Sequence, residues 1–209
     1  MSFTLFPTKR TLLKASEVNW FGDIPEHWEV RRLRNIIDMQ VSNVNKHSSG
    51  DEIPVRLCNY VDVYKNDYIN ENIDFMRATA TNEEINRFRL MEGDVLITKD
   101  SETWDDIGVP ALVTVTTPDL VSGYHLALLR PNAIKLLGGY LFLALQSKPV
   151  SYQFHIEAKG VTRYGLSHFG ILSISIPLPP PTEQATIVAY LGKANLILRG
   201  GGLPEAKIG

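Results

Sequence analysis

The stretch Pro177-Leu-Pro-Pro-Pro-Thr-Glu-Gln-Ala-Thr-Ile-Val-Ala-Tyr-Leu191 decides the fold, because it joins the end of a strand to the start of a helix. The preceding segment, Ile171–Ile176, alternates apolar and small polar residues, which predicts a half-buried strand. The prolines that follow cannot donate hydrogen bonds to a sheet, so they stiffen the exit from this strand. We therefore expect a globular domain that ends at this point.

A helix is expected to leave the domain directly after the prolines. Thr182 can cap its N-terminus, and the charge of Glu183 is favourable in its first turn. Further along, one helical face carries an apolar series, namely Ile187, Tyr190 and Leu191.

Four further motifs lie elsewhere in the chain. They are Trp20-Phe-Gly-Asp-Ile-Pro-Glu-His-Trp-Glu-Val30, Glu92-Gly-Asp-Val-Leu-Ile-Thr98, Asp106-Ile-Gly108 and Gly160-Val-Thr-Arg-Tyr-Gly-Leu-Ser167. Together with the proline-rich stretch, and in this order, they resemble the specificity subunits of type I restriction–modification systems. The resemblance extends over roughly residues 16 to 193.

The resemblance implies a DNA target-recognition domain followed by a long helix. In this family a complete subunit carries two such domains, each reading one half of a split site, and two helices that pack as an antiparallel pair. The subunit is not an enzyme. It directs adenine methylation and cleavage by a modification subunit and a restriction subunit, which hold S-adenosylmethionine, ATP and Mg²⁺.

The chain departs from the family pattern in two respects. It has one recognition domain without a visible repeat, and three glycines and a proline follow the expected start of the helix, which predicts that the helix ends early. We therefore expect an N-terminal arm (1–19), a target-recognition domain (20–180), a truncated family-type helix (181–195) and an irregular glycine-rich tail (196–209). A folded but inactive remnant or decoy of such a subunit is an alternative that the same tail permits.

The composition limits the classes of protein that remain. With 209 residues, 44% of them hydrophobic, the chain can bury a substantial core. A net charge of −2 requires any nucleic-acid contact to depend on a local basic face. The single Cys58 cannot form an internal disulfide, and no apolar run is long enough to span a membrane, so we expect a soluble cytoplasmic protein.

Hydrophobic periodicity and turn residues predict an α+β fold with a mixed or antiparallel sheet and flanking helices. The expected strands are Val55–Val61, Val95–Thr98, Ala111–Val115 and Tyr124–Arg130, in addition to Ile171–Ile176. The expected helices are Val30–Met39, Ala80–Phe88 with Thr81 or Asn82 as its cap, Tyr140–Gln146 and Pro149–Lys159.

The first candidate DNA-reading loop follows the Val95–Thr98 strand. It presents Lys99, Asp100 and Ser101, and Asp100 could accept a hydrogen bond from cytosine N4. Alternatively, Lys99 and Asp100 form a solvated ion pair.

The second candidate loop lies between two glycines, Gly160 and Gly165, which permit close approach of the backbone to a ligand. It presents Thr162, Arg163 and Tyr164, and Lys159 precedes it. Arg163 could contact a phosphate or a guanine edge, and Tyr164 a sugar or phosphate. Alternatively, this loop is a tight connection between a helix and a strand.

The helix from Thr182 is the expected attachment surface for the modification subunit. The residues expected to form it are Thr182, Glu183, Ile187, Tyr190 and Leu191. A one-domain subunit could also dimerise through this helix, and its two-fold symmetry would then require a palindromic split site.

A metal-dependent nuclease is a distant alternative. Asp119, Glu157 and Lys159 fit the spacing of carboxylates that bind a divalent ion beside a lysine. In such enzymes the second acid and the lysine lie on a core strand, whereas here they are expected at the end of a helix. A methyltransferase is disfavoured, because no glycine-rich cofactor loop follows a strand.

Overall fold

A computed structural model describes residues 12–44 and 49–198. The strands are β1 (Leu13–Ala15), β2 (Asp23–Pro25), β3 (Glu29–Arg32), β4 (Ile37–Val41), β5 (Ile53–Cys58), β6 (Tyr68–Ile69), β7 (Met76–Ala80), β8 (Val95–Thr98), β9 (Asp100–Ser101), β10 (Pro110–Val113), β11 (Leu120–Ser122), β12 (Leu126–Pro131), β13 (Lys159–Gly160), β14 (Tyr164–Gly165) and β15 (Ser175–Leu178). The helices are α1 (Tyr60–Lys65), α2 (Asn82–Phe88), α3 (Gly138–Gln146), α4 (Lys148–Glu157), α5 (His168–Ser173) and α6 (Pro181–Leu198). The predicted α+β class is confirmed. The predicted arm and tail fall partly on residues 1–11 and 199–209, which lie outside the described residues.

The central sheet has the strand order β4-β12-β8-β10-β6, antiparallel except between β10 and β6. Its middle strand is β8, and all four residues of β8 are buried. Val95 and Ile97 face a core cluster that includes residues of α3, α4 and α5, whereas Leu96 faces a second cluster on the opposite side. Because both faces are covered, β8 is a continuous apolar run rather than an alternating one. The predicted buried strand is confirmed.

A second sheet has the order β11-β5-β7 and packs against α2. Thr81 caps α2 as predicted, since its hydroxyl accepts from the backbone N–H of Glu84 at 3.2 Å. The Glu84 carboxylate accepts in return from the backbone N–H of Thr81 at 3.0 Å. This reciprocal capping box satisfies two N–H groups at the helix start.

The helix predicted over Val30–Met39 is wrong. The structure has β3, a 3-10 turn and β4 in its place, and β3 pairs with β15 so that Arg31 lies opposite Ile176. Leu33, Ile36 and Met39 are all buried, and their spacing of three imitates one face of a helix. Pairing with a distant strand thus overrides the local pattern.

Two predicted strands need new boundaries. The first half of Ile171–Ile176 is helical, because the Ser167 hydroxyl accepts from the N–H of Gly170 at 2.9 Å and starts α5, and the strand begins only at Ser175. The predicted strand Val55–Val61 ends at Cys58, and α1 begins two residues later. The backbone N–H of Asn59 donates there to the Asp62 carboxylate at 2.7 Å.

Two close contacts lie at the N-terminal end of β8 in the central sheet. Arg130, on β12, donates to both carboxylate oxygens of Asp94 at 2.8 and 2.7 Å, just before β8. At the start of α3, a Cβ added to Gly138 would lie 2.0 Å from the carbonyl oxygen of Gly93. Only glycine therefore fits at position 138.

None of the helices in the described ranges is long and apolar enough to cross a membrane.

Candidate nucleic-acid interface

A small three-stranded sheet, β13-β14-β9, joins the two loops that the sequence proposes for DNA contact. Tyr164 pairs with Ser101, and Gly165 pairs with Asp100 and with Lys159 on its other side. The loop that follows β8 and the loop that follows α4 are therefore one surface. We call the sheet, with Lys99 before it and the turn 161–163 within it, the reading edge.

The most exposed part of the reading edge is the hairpin between β13 and β14. Lys159, Thr162 and Arg163 are exposed there, and Tyr164 is half-buried. A Cβ on Gly160 would lie 2.0 Å from the carbonyl oxygen of Arg163. Glycine is thus required at position 160 because the two strands of the hairpin approach each other closely there. The sequence had instead suggested that this glycine permits close approach to a ligand.

The Asp100 carboxylate lies close to the side chains of His125 and Lys99. Its Oδ2 lies 2.8 Å from Nδ1 of His125 and 3.5 Å from the Lys99 ammonium. The Asp100 side chain is 19% exposed and that of Lys99 is 23% exposed. The carboxylate therefore orients Lys99 and His125 at the foot of the hairpin.

Three tyrosines that the sequence interpretation missed lie beside the reading edge. Tyr60 forms a side-chain hydrogen bond with the buried Ser101, and burial, together with the charge of Asp106, raises the pKa of its phenol. The Tyr64 hydroxyl donates to Asp106 at 2.8 Å, which raises the pKa of Tyr64. The rings of Tyr60 and Tyr64 stack at 5.6 Å, and Tyr124 contacts His125 at 3.7 Å between ring centroids.

The sequence contains one signal that indicates part of this tyrosine cluster. Tyr60 and Tyr64 are four residues apart, which places both on one face of α1. On the exposed face of a short helix, an aromatic pair contributes little to the hydrophobic core. Tyr124 and His125 carry no comparable signal. They adjoin the apolar pattern of the next strand and were assigned to that strand.

The chemistry of this surface suits a polyanion with polar edges. Arg163 and Lys159 can neutralise phosphate charge, and tyrosine hydroxyls donate to phosphate and sugar oxygens. The exposed guanidinium of Arg163 can also form two parallel hydrogen bonds to one base edge. The same surface carries acids, among them Asp106, so its positive potential is confined to the hairpin.

The predicted attachment residues on α6 separate into two groups. Glu183 accepts from Trp28 Nε1 at 3.1 Å and lies 2.8 Å from His27 Nε2, while Ile187 packs against the main core. Thr182, Tyr190 and Leu191 are exposed. The helix thus uses its first turns to contact its own domain and has exposed side chains further along.

The nuclease alternative finds no support. Arg56 donates to both oxygens of Asp119 at 2.9 and 2.8 Å, and this pairing lowers the Asp119 pKa. Glu157 ends α4 and Lys159 lies on the exposed β13, so neither is on a core strand. Among the residues with described positions, no three His, Cys, Asp or Glu side chains are grouped to hold a metal ion.

The fold is that of a DNA specificity domain, as comparison with known families shows. Residues 25–196 match the type I restriction modification DNA specificity domain, so the chain belongs to that family. Family membership assigns it to the specificity component rather than the catalytic components of these systems, as the sequence predicts.

Individual relatives support the assignment. The chain is 28% identical over 191 residues to a protein of Methanocaldococcus jannaschii described as a type I restriction enzyme MjaX specificity subunit. This match covers 88% of the chain and 42% of the relative, so the chain spans about two-fifths of that protein.

Solved structures share the fold. The HsdS subunit from Thermoanaerobacter tengcongensis superposes with a TM-score of 0.60 at 18% identity, over 88% of this chain and 41% of that one. A chain from a structure on complex assembly and conformational transition of the type I R-M system gives 0.60 at 19% identity, over 88% and 42%. These likenesses confirm the fold of a specificity-subunit domain.

Proposed function

We propose that this domain reads one half of a split DNA target through the reading edge, and that it directs adenine methylation and cleavage by partner subunits. S-adenosylmethionine, ATP and Mg²⁺ would be bound by those partners, in the cytoplasm. The observation that carries the proposal is the pairing of β9 with β14. It unites residues 99–101 with residues 159–164 on one edge of the domain.

Within this edge the side chains divide by exposure. Arg163, Thr162 and Lys159 are exposed and would contact the duplex directly. Asp100 and Ser101 are at least half-buried, and each bonds another candidate side chain. Their proposed role is to hold His125, Lys99 and Tyr60 in position, while the hairpin enters a groove.

The first test is to identify the target and then weaken its recognition. The chain would be co-expressed with the modification subunit, and methylated adenines in the host DNA would be mapped by sequencing. Binding to that sequence and to a scrambled duplex would then be compared for Arg163→Ala. A base-edge contact should cost about 1–3 kcal/mol on the target, roughly 5–150-fold in Kd, and much less on the scrambled duplex.

A charge-matched control separates the loss of this contact from a general loss of electrostatic attraction between the domain and DNA. Arg77 is an exposed arginine on β7, in a different sheet. Arg77→Ala should leave both affinities nearly unchanged. Equal weakening by Arg163→Ala on both duplexes would identify a phosphate contact, and no weakening on either would contradict the proposed reading edge.

We also propose that the exposed part of α6 attaches the modification subunit, or a second copy of this chain, which would present two domains to a palindromic site. Tyr190 and Leu191 are 52% and 39% exposed, large and apolar. Leu191→Lys should reduce co-purification of the modification subunit or dimerisation in light scattering. Leu13→Lys, on the exposed β1, should reduce neither. A stable complex that survives Leu191→Lys would refute attachment at this surface.

A further inference from the structure

The side chain of Gln184, in the first turn of α6, is completely buried. Its carbonyl oxygen accepts from the backbone N–H of Leu137 at 2.9 Å. Its amide nitrogen donates to the backbone carbonyls of Lys135 at 2.9 Å and Pro179 at 2.8 Å. One side chain thus joins α6, the segment before α3 and the proline-rich run, and its buried polar atoms are all paired.

Neighbouring contacts hold the same helix from other directions. Glu183 bonds His27 and Trp28, which follow β2. On the next turn, Val188 packs so close to α3 that a Cβ on Gly139 would lie 3.1 Å from its Cγ1. The first two turns of α6 are therefore part of the domain.

The proline-rich run itself is also bonded. The Tyr140 hydroxyl donates to the carbonyl of Pro177 at 2.8 Å, and the Pro179 carbonyl accepts from Gln184. Prolines restrict the backbone, and these two bonds fix the restricted segment to α3 and α6. The segment that connects the domain to the helix therefore lacks the freedom of a hinge.

We infer that α6 leaves the domain at a fixed angle, and that Gln184 is the positioning residue that sets this angle. Glu183 contributes less, since its side chain is 37% exposed and its bonds compete with water. Gln184 is the side chain on which the docking of the helix depends, because no water can replace its bonds.

β12 connects the part of the domain that holds α6 to the reading edge, so the orientation of α6 relative to the reading edge is also fixed. His125, which bonds Asp100, immediately precedes this strand, and Lys135 and Leu137 follow shortly after its end. A six-residue strand spans about 20 Å, so the two places are joined by one rigid element of the central sheet. If the proposed function holds, Gln184 determines the orientation in which the reading edge meets DNA relative to any partner on α6.

The inference can be tested on the chain alone. Spin labels would be placed at two exposed positions, Val61→Cys on α1 and Ala189→Cys on α6, and their separation measured by double electron–electron resonance. Cys58 is fully buried, so the chain without added cysteines should take up no label. With native Gln184 we expect a single narrow distance distribution.

Gln184→Met keeps the volume of the side chain and removes its three hydrogen bonds. We expect this variant to lose the single narrow peak and to show a broad or second distance. Gln153 provides a matched control, because it is also buried and its amide also makes three backbone hydrogen bonds, to Pro149 and Ser175. Gln153→Met should lower the melting temperature comparably and leave the distribution narrow.

The outcomes are distinct. A broad distribution with native Gln184 would overturn the inference without any variant, so the test survives if Gln184→Met does not fold. A narrow distribution in a folded Gln184→Met would overturn the role of Gln184. Neither DNA nor a partner is present, so failure here is separable from failure of the DNA-binding proposal, which the Arg163 experiment measures.

Discussion

Replacing Asp94 by alanine should destabilise this domain more than replacement of any exposed acid. Asp94 is 2% exposed, and its two carboxylate oxygens accept two bonds from Arg130 and one from the backbone N–H of Met91. Removing one partner of a buried ion pair typically costs about 3–5 kcal/mol, because the other charge is left without compensation. Arg130 keeps its bond to the carbonyl of Arg89 and is 28% exposed, so we expect the lower end of this range, about 3 kcal/mol.

Urea denaturation at neutral pH, followed by the fluorescence of the three tryptophans, would measure this loss. A domain of this size has a total stability of about 5–15 kcal/mol and an m-value of about 2–3 kcal/mol/M, so a loss of about 3 kcal/mol should lower the midpoint by about 1–1.5 M. Asp74→Ala, which removes an exposed acid between β6 and β7, should change stability by less than about 0.5 kcal/mol.

A loss below about 1 kcal/mol for Asp94→Ala would refute the reasoning, since it would mean that Arg130 is readily hydrated. The double variant Asp94→Ala, Arg130→Met offers a second check. If the cost comes from an uncompensated buried charge, removing that charge should restore part of the stability. A double variant less stable than Asp94→Ala would point instead to lost packing.

Four further outcomes are expected. Thr81→Ala should cost about 0.5–2 kcal/mol in urea denaturation, because it removes the side chain that caps α2. Asp119→Asn should lower stability at neutral pH, because Arg56 depresses the pKa of the native carboxylate. This difference from the native chain should shrink as the pH falls from about 4, the ordinary range of an aspartate, through the lowered pKa of Asp119, because the carboxylate is then protonated and its stabilising contribution is lost. Gly138→Ala should prevent stable folding, as judged by circular dichroism, because its Cβ would overlap a backbone carbonyl. Gly192→Ala, in open space on α6, should instead raise the melting temperature, since alanine is favoured over glycine by about 0.5–1 kcal/mol in a helix.

The elements that could be predicted from sequence are those whose signal is local. The apolar run Val95–Thr98 indicates a strand covered on both faces, and Thr81 marks the start of a helix. The helix after the prolines was likewise expected from its apolar spacing, but it begins at Pro181, so the predicted cap Thr182 lies within its first turn instead. Each of these depends on residues within a few positions of one another.

The elements that could not be predicted depend on distant partners. Residues 30–39 have the apolar spacing of a helix, but β15 pairs with β3 and imposes a strand. Likewise, the sequence indicates two separate loops for DNA contact, and nothing in either loop specifies that Ser101 lies opposite Tyr164. Nothing local marks His125 for a role at this surface, because its partner, Asp100, lies 25 positions away.

The pairing of β3 with β15 has a consequence for biosynthesis. About 140 residues separate the two strands, so at ribosomal rates of about 5–20 residues per second β3 waits roughly 7–30 s for its partner. During that interval its edge is open to other chains, and contacts of such long range also slow folding. Because α6 emerges directly after β15, closure of the domain and docking of α6 belong to one late step. A chain stalled before that step would carry most of the reading edge without α6, so the attachment proposed for α6 would select for completed domains.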